Sequence, residues 1–300
     1  MQAIAPTPST APRRVHVLGA GKMGLPMASH LHRAGHLVTV EDPDESRLAL
    51  ARQAGLRVAT GSEAVRAAEL VLSSLPNDAA LLSVGERVAA QASPGATFLD
   101  TSTVSPHASA RVADWLEAAG VRYLRCTVSG NSAMAEAARL TVMASGPREA
   151  YDEWAPLLEA LGPARFWLGE AEQARLMKLV VNLMVAQTSA MLAEALTLGR
   201  KGGLRWEDLW TVIEGSAVAS PLLKSKAGPL SQRDFTPTFT VTQMTKDLDL
   251  ILSAAADAHV PVPQTAATLQ LMHAAVAQGL AQEDYAAILK VVERASGLDS

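Results

Sequence analysis

One cysteine in 300 residues, Cys126, rules out an internal disulfide framework. It fits a reducing compartment, where a lone thiol usually behaves as a small buried hydrophobe. Charge of either sign is not gathered into runs: 26 Lys and Arg against 30 Asp and Glu leave a net charge of −4 spread along the chain. That excludes the basic stripe of a nucleic-acid footprint and points to an enzyme of small molecules. An uninterrupted membrane-length apolar run is missing too. The longest, from Leu176 to Leu198, is broken by Lys178, Asn182, Gln187 and Glu194, which a lipid-facing helix would hardly accommodate, so no membrane span is expected. The opening MQAIAPTPSTAPRR has three prolines but no continuous apolar h-region. Residues 1–14 therefore read as a mobile tail and not a secretory signal, and the cytoplasm is the expected location. No repeat of fixed period is found.

With 49% hydrophobic residues, the chain has material for two cores, since a domain usually takes about 100–200 residues. Short apolar runs at Val15–Leu18, Val38–Glu41, Leu70–Ser74, Thr97–Asp100, Val121–Leu124 and Thr141–Ala144 alternate with amphipathic segments. Such alternation predicts a mainly parallel sheet covered by helices. After Gly169 the strand signals stop. Ala171–Arg200, rich in Ala, Leu and Met and closed by Lys201-Gly202-Gly203, predicts one helix of roughly 45 Å, suited to stand between two domains. Helical patterns follow at Trp206–Glu214, Lys246–Ala258, Gln264–Ala277 and Asp284–Ala295. The expected fold class is α/β: an N-terminal Rossmann-type doubly wound sheet over 15–169, a long interdomain helix, and an all-α C-terminal domain for substrate and oligomerisation over 170–300.

The first run feeds a glycine turn, Gly19-Ala20-Gly21-Lys22-Met23-Gly24, and a helical pattern follows. GxGxxG alone is a weak signal. Here a strand precedes it, a helix follows, and a second strand delivers Asp42 about twenty residues later, as a dinucleotide fingerprint requires. The glycines permit close backbone approach while the helix N-terminus turns free N–H groups to a pyrophosphate. Asp42 can accept from the adenosine ribose hydroxyls and would repel a 2′-phosphate, which favours NAD over NADP. A capping role for Asp42, Asp44 or Ser46 on the next helix is the alternative. His30, His32 and His36 cluster without a Cys or carboxylate to complete a ligand set, so no metal is expected.

Lys178 and Asn182 stand i, i+4 within Leu176-Met-Lys-Leu-Val-Val-Asn-Leu-Met-Val-Ala, hence on one side of the long helix. Their neighbours are apolar in every direction, which predicts a helix buried all round. A lysine buried there has its charged form disfavoured, which suits general acid–base work. The plainer alternative is a lysine snorkelling to the surface beside a buried Asn.

At this point the chain resembles the β-hydroxyacid dehydrogenase family, whose members include 3-hydroxyisobutyrate dehydrogenases and semialdehyde reductases. Gly19-Ala-Gly-Lys-Met-Gly-Leu-Pro-Met27 is similar to the family's GxGxMGxPM opening, Leu75-Pro76-Asn77 to its loop after a central strand, and Asp100-Thr-Ser-Thr103 to its D-x-S-T segment. Val128-Ser129-Gly130 matches the end of its substrate loop, Lys178 with Asn182 its catalytic lysine and partner amide, and Phe239 and Lys246-Asp247-Leu248 fall at its distances from that lysine. The resemblance implies a small carboxylate substrate, a dinucleotide held by residues 19–24, Asp42, Leu75, Pro76, Thr103 and Lys246, and a homodimer or homotetramer. It implies that Thr103 lies between nicotinamide and substrate and that Ser129, Gly130 and Asn131 belong to the carboxylate loop. Phe239 would wall the nicotinamide, and Asp247 would approach the lysine.

The chain also departs from the pattern. Where the family usually reads D-A-P-V-S-G-G, it has Arg125-Cys126-Thr127-Val128-Ser129-Gly130-Asn131; Glu172 and Ala174 replace glycines ahead of the lysine, and Val181 the first Asn of a pair. Arg125 is either a solvated strand-end residue or, if turned inward, a fork for a second anionic group. Competing readings are an imine reductase, which commonly lacks the lysine, and a non-catalytic dinucleotide-binding regulator. A 6-phosphogluconate dehydrogenase would carry a much larger C-terminal part.

Overall fold

A computed structural model describes residues 11–298. The chain divides into two compact units, residues 1–178 and 179–300, and the division falls inside the helix Gln173–Lys201.

The first unit is built on one sheet: β1 (Arg14–Leu18), β2 (Leu37–Glu41), β3 (Arg57–Val58), β4 (Leu70–Ser73), β5 (Thr97–Asp100), β6 (Arg122–Ser129), β7 (Thr141–Ser145) and β8 (Ala164–Trp167). Its order is β3-β2-β1-β4-β5-β6-β7-β8. All pairs are parallel except β6 with β7. Val15 lies between Val38 and Leu70 in register. Helices cover both faces, so the central strands read as continuous apolar runs: Val15, Val17, Leu70, Val71, Leu72, Phe98 and Leu99 are all buried. The chain runs outward from β1 in one direction and, after β3, resumes at β4 on the other side of β1. That reversal opens a crevice beyond the strand ends at Leu18 and Ser73, where open α/β sheets bind ligands.

Two boundaries differ from expectation for a shared reason. The tail expected over 1–14 lies, for residues 1–10, outside the described residues, but β1 already begins at Arg14, and Arg13 Nη2 is 2.5 Å from Glu153 Oε1. Likewise β6 runs on to Ser129 where the apolar run stops at Leu124. In both places charged or polar residues belong to the fold because partners distant in sequence satisfy them: Thr127 Oγ1, for instance, donates to the Ala174 carbonyl at 2.9 Å. The short edge strands β3 and β8 carry no alternation long enough to read.

The second unit packs the rest of Gln173–Lys201 with the helices Trp206–Gly215, Pro221–Ser231, Val241–Asp257, Pro263–Ala277 and Ile288–Ala295. Pro221–Ser231 was not expected, because Gly228 and Pro229 interrupt its pattern, although Ser220 capping a helix that opens with Pro221 is a readable start. Val241–Asp257 begins five residues ahead of the expected Lys246. Thr240 and Gln243 form a reciprocal capping box there, satisfying two otherwise orphaned N–H groups.

Gln173–Lys201 has 29 residues and, among the described residues, is the one helix that length and composition would let cross a membrane. One face is packed through Leu179, Ala186, Ala190, Ala193 and Leu196 into the helical core. The expectation that it is buried all round is wrong for the chain by itself. Met177, Met184, Met191 and Leu198 are 38, 64, 51 and 76% exposed, recur every seventh residue, and form an apolar seam along the outside.

Candidate active site

The glycine turn after β1 is constrained by its own backbone. Gly19 has φ +98°, and a Cβ there would stand 2.4 Å from the Ser74 carbonyl oxygen. A Cβ on Gly24 would fall 1.9 Å from the Gly19 oxygen. Gly21 differs: its Cβ would meet nothing within 4 Å, so the side chain is missing where no protein atom needs the room. The helix Gly24–Arg33 then starts at Met23 with no side-chain cap and no acidic residue in its first turn, which leaves that end suited to an anionic group. Ala20 N donates to Asp42 Oδ2 at 2.7 Å and Asp44 N to Asp42 Oδ1 at 2.9 Å. Asp42 thus clamps the glycine turn to the end of β2, and each of its oxygens has a further lone pair for a ligand hydroxyl. The helix cap is Asp44, which accepts from Ser46 N. These residues fit a dinucleotide. Lys22 is exposed at the tip of the turn.

The loops after β4 and β5 are stitched together through Asp100, which is wholly buried. Ser73 Oγ and Ser102 Oγ donate to Asp100 Oδ1 at 2.5 and 2.6 Å, and Leu75 N donates to Ser102 Oγ at 2.8 Å. Leu75 is half-buried, Pro76 exposed and Thr103 half-buried, so the two loops present these three residues from a fixed base. Neither Asp100's partners nor Arg175, which completes the cluster, was legible in the sequence: the partners of Arg175 lie 52 to 75 residues away.

At the end of β6, Ser129 is half-buried and Gly130 takes φ +138°, where a Cβ would press on Leu140 and Met134. Asn131 caps the short helix Ser132–Glu136, its Oδ1 accepting from Met134 N at 2.9 Å. Arg125 is neither solvated nor open to a ligand. It is buried over the Tyr123 ring, 4.4 Å from its centroid, and its Nε and Nη2 donate to Glu172 Oε1 at 2.8 and 2.5 Å. Two departures from the family pattern therefore pair with each other. Burial pushes the neighbouring Cys126 thiol far above its usual range, which makes it inert. His30 Nε2 donates to the Ala135 carbonyl, His36 accepts from Arg13 N, and among the described residues no group of three His, Cys, Asp or Glu could hold a metal ion.

Lys178 sits half-buried in the second turn of Gln173–Lys201, and Asn182, one turn further on, is buried. Within the second unit Asn182 Nδ2 donates to Asp247 Oδ2 at 2.5 Å, and Lys246 Nζ lies 2.9 Å from Asp247 Oδ1. Asp247 is wholly buried, its Oδ2 held by the Asn182 amide and its Oδ1 facing the Lys246 ammonium. Phe239 packs edge-on to Tyr285 at 6.2 Å, ahead of the capping box that starts the Lys246 helix.

Comparison with known proteins covers nearly the whole chain. A family model for the NAD binding domain of 6-phosphogluconate dehydrogenase matches residues 14–169, and one for the NAD-binding region of NADP-dependent 3-hydroxyisobutyrate dehydrogenase matches 173–292. The chain is 31% identical to 2-(hydroxymethyl)glutarate dehydrogenase of Eubacterium barkeri, over 95% of this chain and 96% of that one. It is 30% identical to the chloroplastic glyoxylate/succinic semialdehyde reductase 2 of Arabidopsis thaliana, over 98% and 84%. The structure of Mycobacterium tuberculosis 3-hydroxyisobutyrate dehydrogenase with L-serine superposes with TM-score 0.86 at 29% identity, covering 94% and 99%. With its glycine turn, its doubly wound sheet and both family models in order, the chain belongs to the β-hydroxyacid dehydrogenases, the NAD(P)-dependent oxidoreductases related to 3-hydroxyisobutyrate dehydrogenase.

Proposed function

We propose that this chain interconverts a small 3-hydroxy acid and its semialdehyde or keto acid, with NAD as hydride partner and Lys178 as the acid/base. The observation that carries the reading is Asn182, whose amide is fixed by buried Asp247 one helical turn along from Lys178. A carboxylate only accepts, so the amide turns its Nδ2 to Asp247 and keeps Oδ1 and one N–H to orient a substrate hydroxyl. Residues 19–24, Asp42, Leu75, Pro76 and Lys246 would hold the dinucleotide, whose nicotinamide would supply or take up the hydride. In oxidation Lys178 Nζ accepts the hydroxyl proton, and in reduction its ammonium returns it. Ser129 Oγ and the Gly130 N–H hold the substrate carboxylate, which needs charge-assisted donors once water is excluded. Thr103 would lie between nicotinamide and substrate, and Phe239 would wall the nicotinamide. Arg125 is spent on Glu172 and offers no fork to a second anion. The L-serine of the mycobacterial relative, itself a 3-hydroxy acid, supports the substrate class.

Asp42 favours NAD, because its charge opposes a 2′-phosphate. One observation favours NADP: Lys22, Arg33 and Arg47 line a cavity of about 440 Å³ beside the same turn. Turnover of a panel of small 3-hydroxy acids with NAD⁺ or NADP⁺ tests both points. Faster turnover with NAD⁺ is expected; a higher kcat/KM with NADP⁺ overturns the cofactor choice, and no turnover of any acid overturns the reaction.

The exposed seam of Met177, Met184, Met191 and Leu198 supports a homodimer or a homotetramer. Its spacing of seven is that of a helix packing along a partner helix, and a flexible thioether surface of this length is uncommon on a monomer. Met191→Glu is expected to shift the light-scattering mass in size-exclusion chromatography to that of one chain, whereas a monomeric wild type would sink the proposal.

A further inference from the structure

We propose that Arg175 is a positioning residue, the tether that sets the turn bearing Lys178 against the two loops bearing Leu75 and Thr103. The inference rests on the reading of Lys178 given above. Arg175 lies three residues before Lys178 on the same helix, so the two side chains leave adjacent positions. Its side chain is wholly inaccessible to solvent. Nη2 donates to Asp100 Oδ2 at 2.5 Å and to the Tyr123 hydroxyl at 2.8 Å, Nη1 to the Ser102 carbonyl at 2.7 Å, and Nε to Ser109 Oγ at 3.1 Å. One planar fork is thereby fixed to β5, β6, the helix Pro106–Ala118 and the loop that leads into Thr103. Through Asp100 the same fork reaches Ser73 and Ser102, and through Ser102 the Leu75 amide.

Stability alone is a poor reason for such a cluster. A buried guanidinium and carboxylate give up their hydration, and well-packed apolar residues of equal volume would hold the same space as firmly. What apolar residues cannot do is set direction. A guanidinium presents five N–H donors in one rigid plane, and with four bonds satisfied on four segments neither the helix nor the loops can rotate or slide without breaking one. Sub-ångström placement of an acid/base relative to the reacting carbon is what that rigidity would protect. A sheet-to-helix contact made of leucines would tolerate the slippage that this contact forbids.

The test uses the full chain with two variants and Lys178→Ala in parallel. Arg175→Lys keeps the charge and loses the fork; Asp100→Asn with Arg175→Met removes both charges, so no buried ion is stranded. Thermal unfolding and NADH fluorescence titration establish that each variant is folded and binds dinucleotide. The expected result is a kcat lower by about 10- to 100-fold per folded molecule in both, with a smaller change in KM and a displaced kcat–pH profile. A merely structural Arg175 would lower the melting temperature and leave kcat and its pH profile in place, and that outcome overturns the proposal. If Lys178→Ala stays active, the acid/base reading is what has failed. If Lys178→Ala is inactive while the folded Arg175 variants turn over like wild type, the tether alone has failed.

Discussion

Lys178→Ala is expected to lose at least about a hundredfold in kcat while binding NADH with nearly unchanged affinity, the lower bound of a general acid–base contribution. The separation of effects follows from placement. Lys178 is in the second turn of the long helix, whereas the glycine turn, Asp42 and the β4 and β5 loops that suit the dinucleotide lie elsewhere in the first unit. The alanine keeps the helix and removes only the amine, and alanine is the best helix former. An Ala variant within about threefold of wild-type kcat would remove Lys178 from the mechanism. A matching loss of NADH binding would instead assign the lysine to holding the cofactor.

The glycine turn yields the second large effect, and it separates two kinds of damage. Gly24→Ala places a Cβ 1.9 Å from the Gly19 oxygen, 3.0 Å from its carbon and 3.3 Å from Ser74 Cβ. Two of those atoms are backbone, so the turn itself must open. The variant is expected to lose more than about 2 kcal/mol of stability and most of its dinucleotide affinity. Gly21→Ala meets no protein atom within 4 Å. It should melt like wild type yet bind NADH weaker by about tenfold or more, since its methyl intrudes where the fingerprint brings backbone close to the pyrophosphate. Wild-type affinity in Gly21→Ala would show that the turn is not the cofactor cradle.

Much of the fold was legible because it rests on local signals. Central strands buried on both faces read as unbroken apolar runs, and Gly19 and Gly24 mark a turn whose backbone admits few other residues. The antiparallel return of β7 beside β6 carries no such mark, and the helix Pro221–Ser231 is disguised by its own Gly228 and Pro229. Thr240-Val-Thr-Gln243, by contrast, carries the S/T-x-x-E/Q pattern of a helix start. The polar cluster around Asp100 could not have been read, since Arg175 meets its partners only through folding. Composition also misjudged the long helix. Apolar residues all round imply burial only if something covers every face, and a single chain leaves the Met177, Met184, Met191 and Leu198 seam in the open.

The Arg125 and Glu172 pair constrains how this chain could have diverged from its relatives. A return to the family's Asp at position 125 alone would set two carboxylates against each other, since the Nη2 and Oε1 atoms now meet at 2.5 Å. A return to glycine at 172 alone would strand a guanidinium whose side chain is 7% exposed. Each single step back therefore carries an electrostatic cost that the double step avoids. The two positions are therefore coupled energetically although 47 residues separate them, so the double substitution is expected to cost less than the sum of the two single ones. Chimeras with relatives should accordingly tolerate crossovers outside that interval far better than within it.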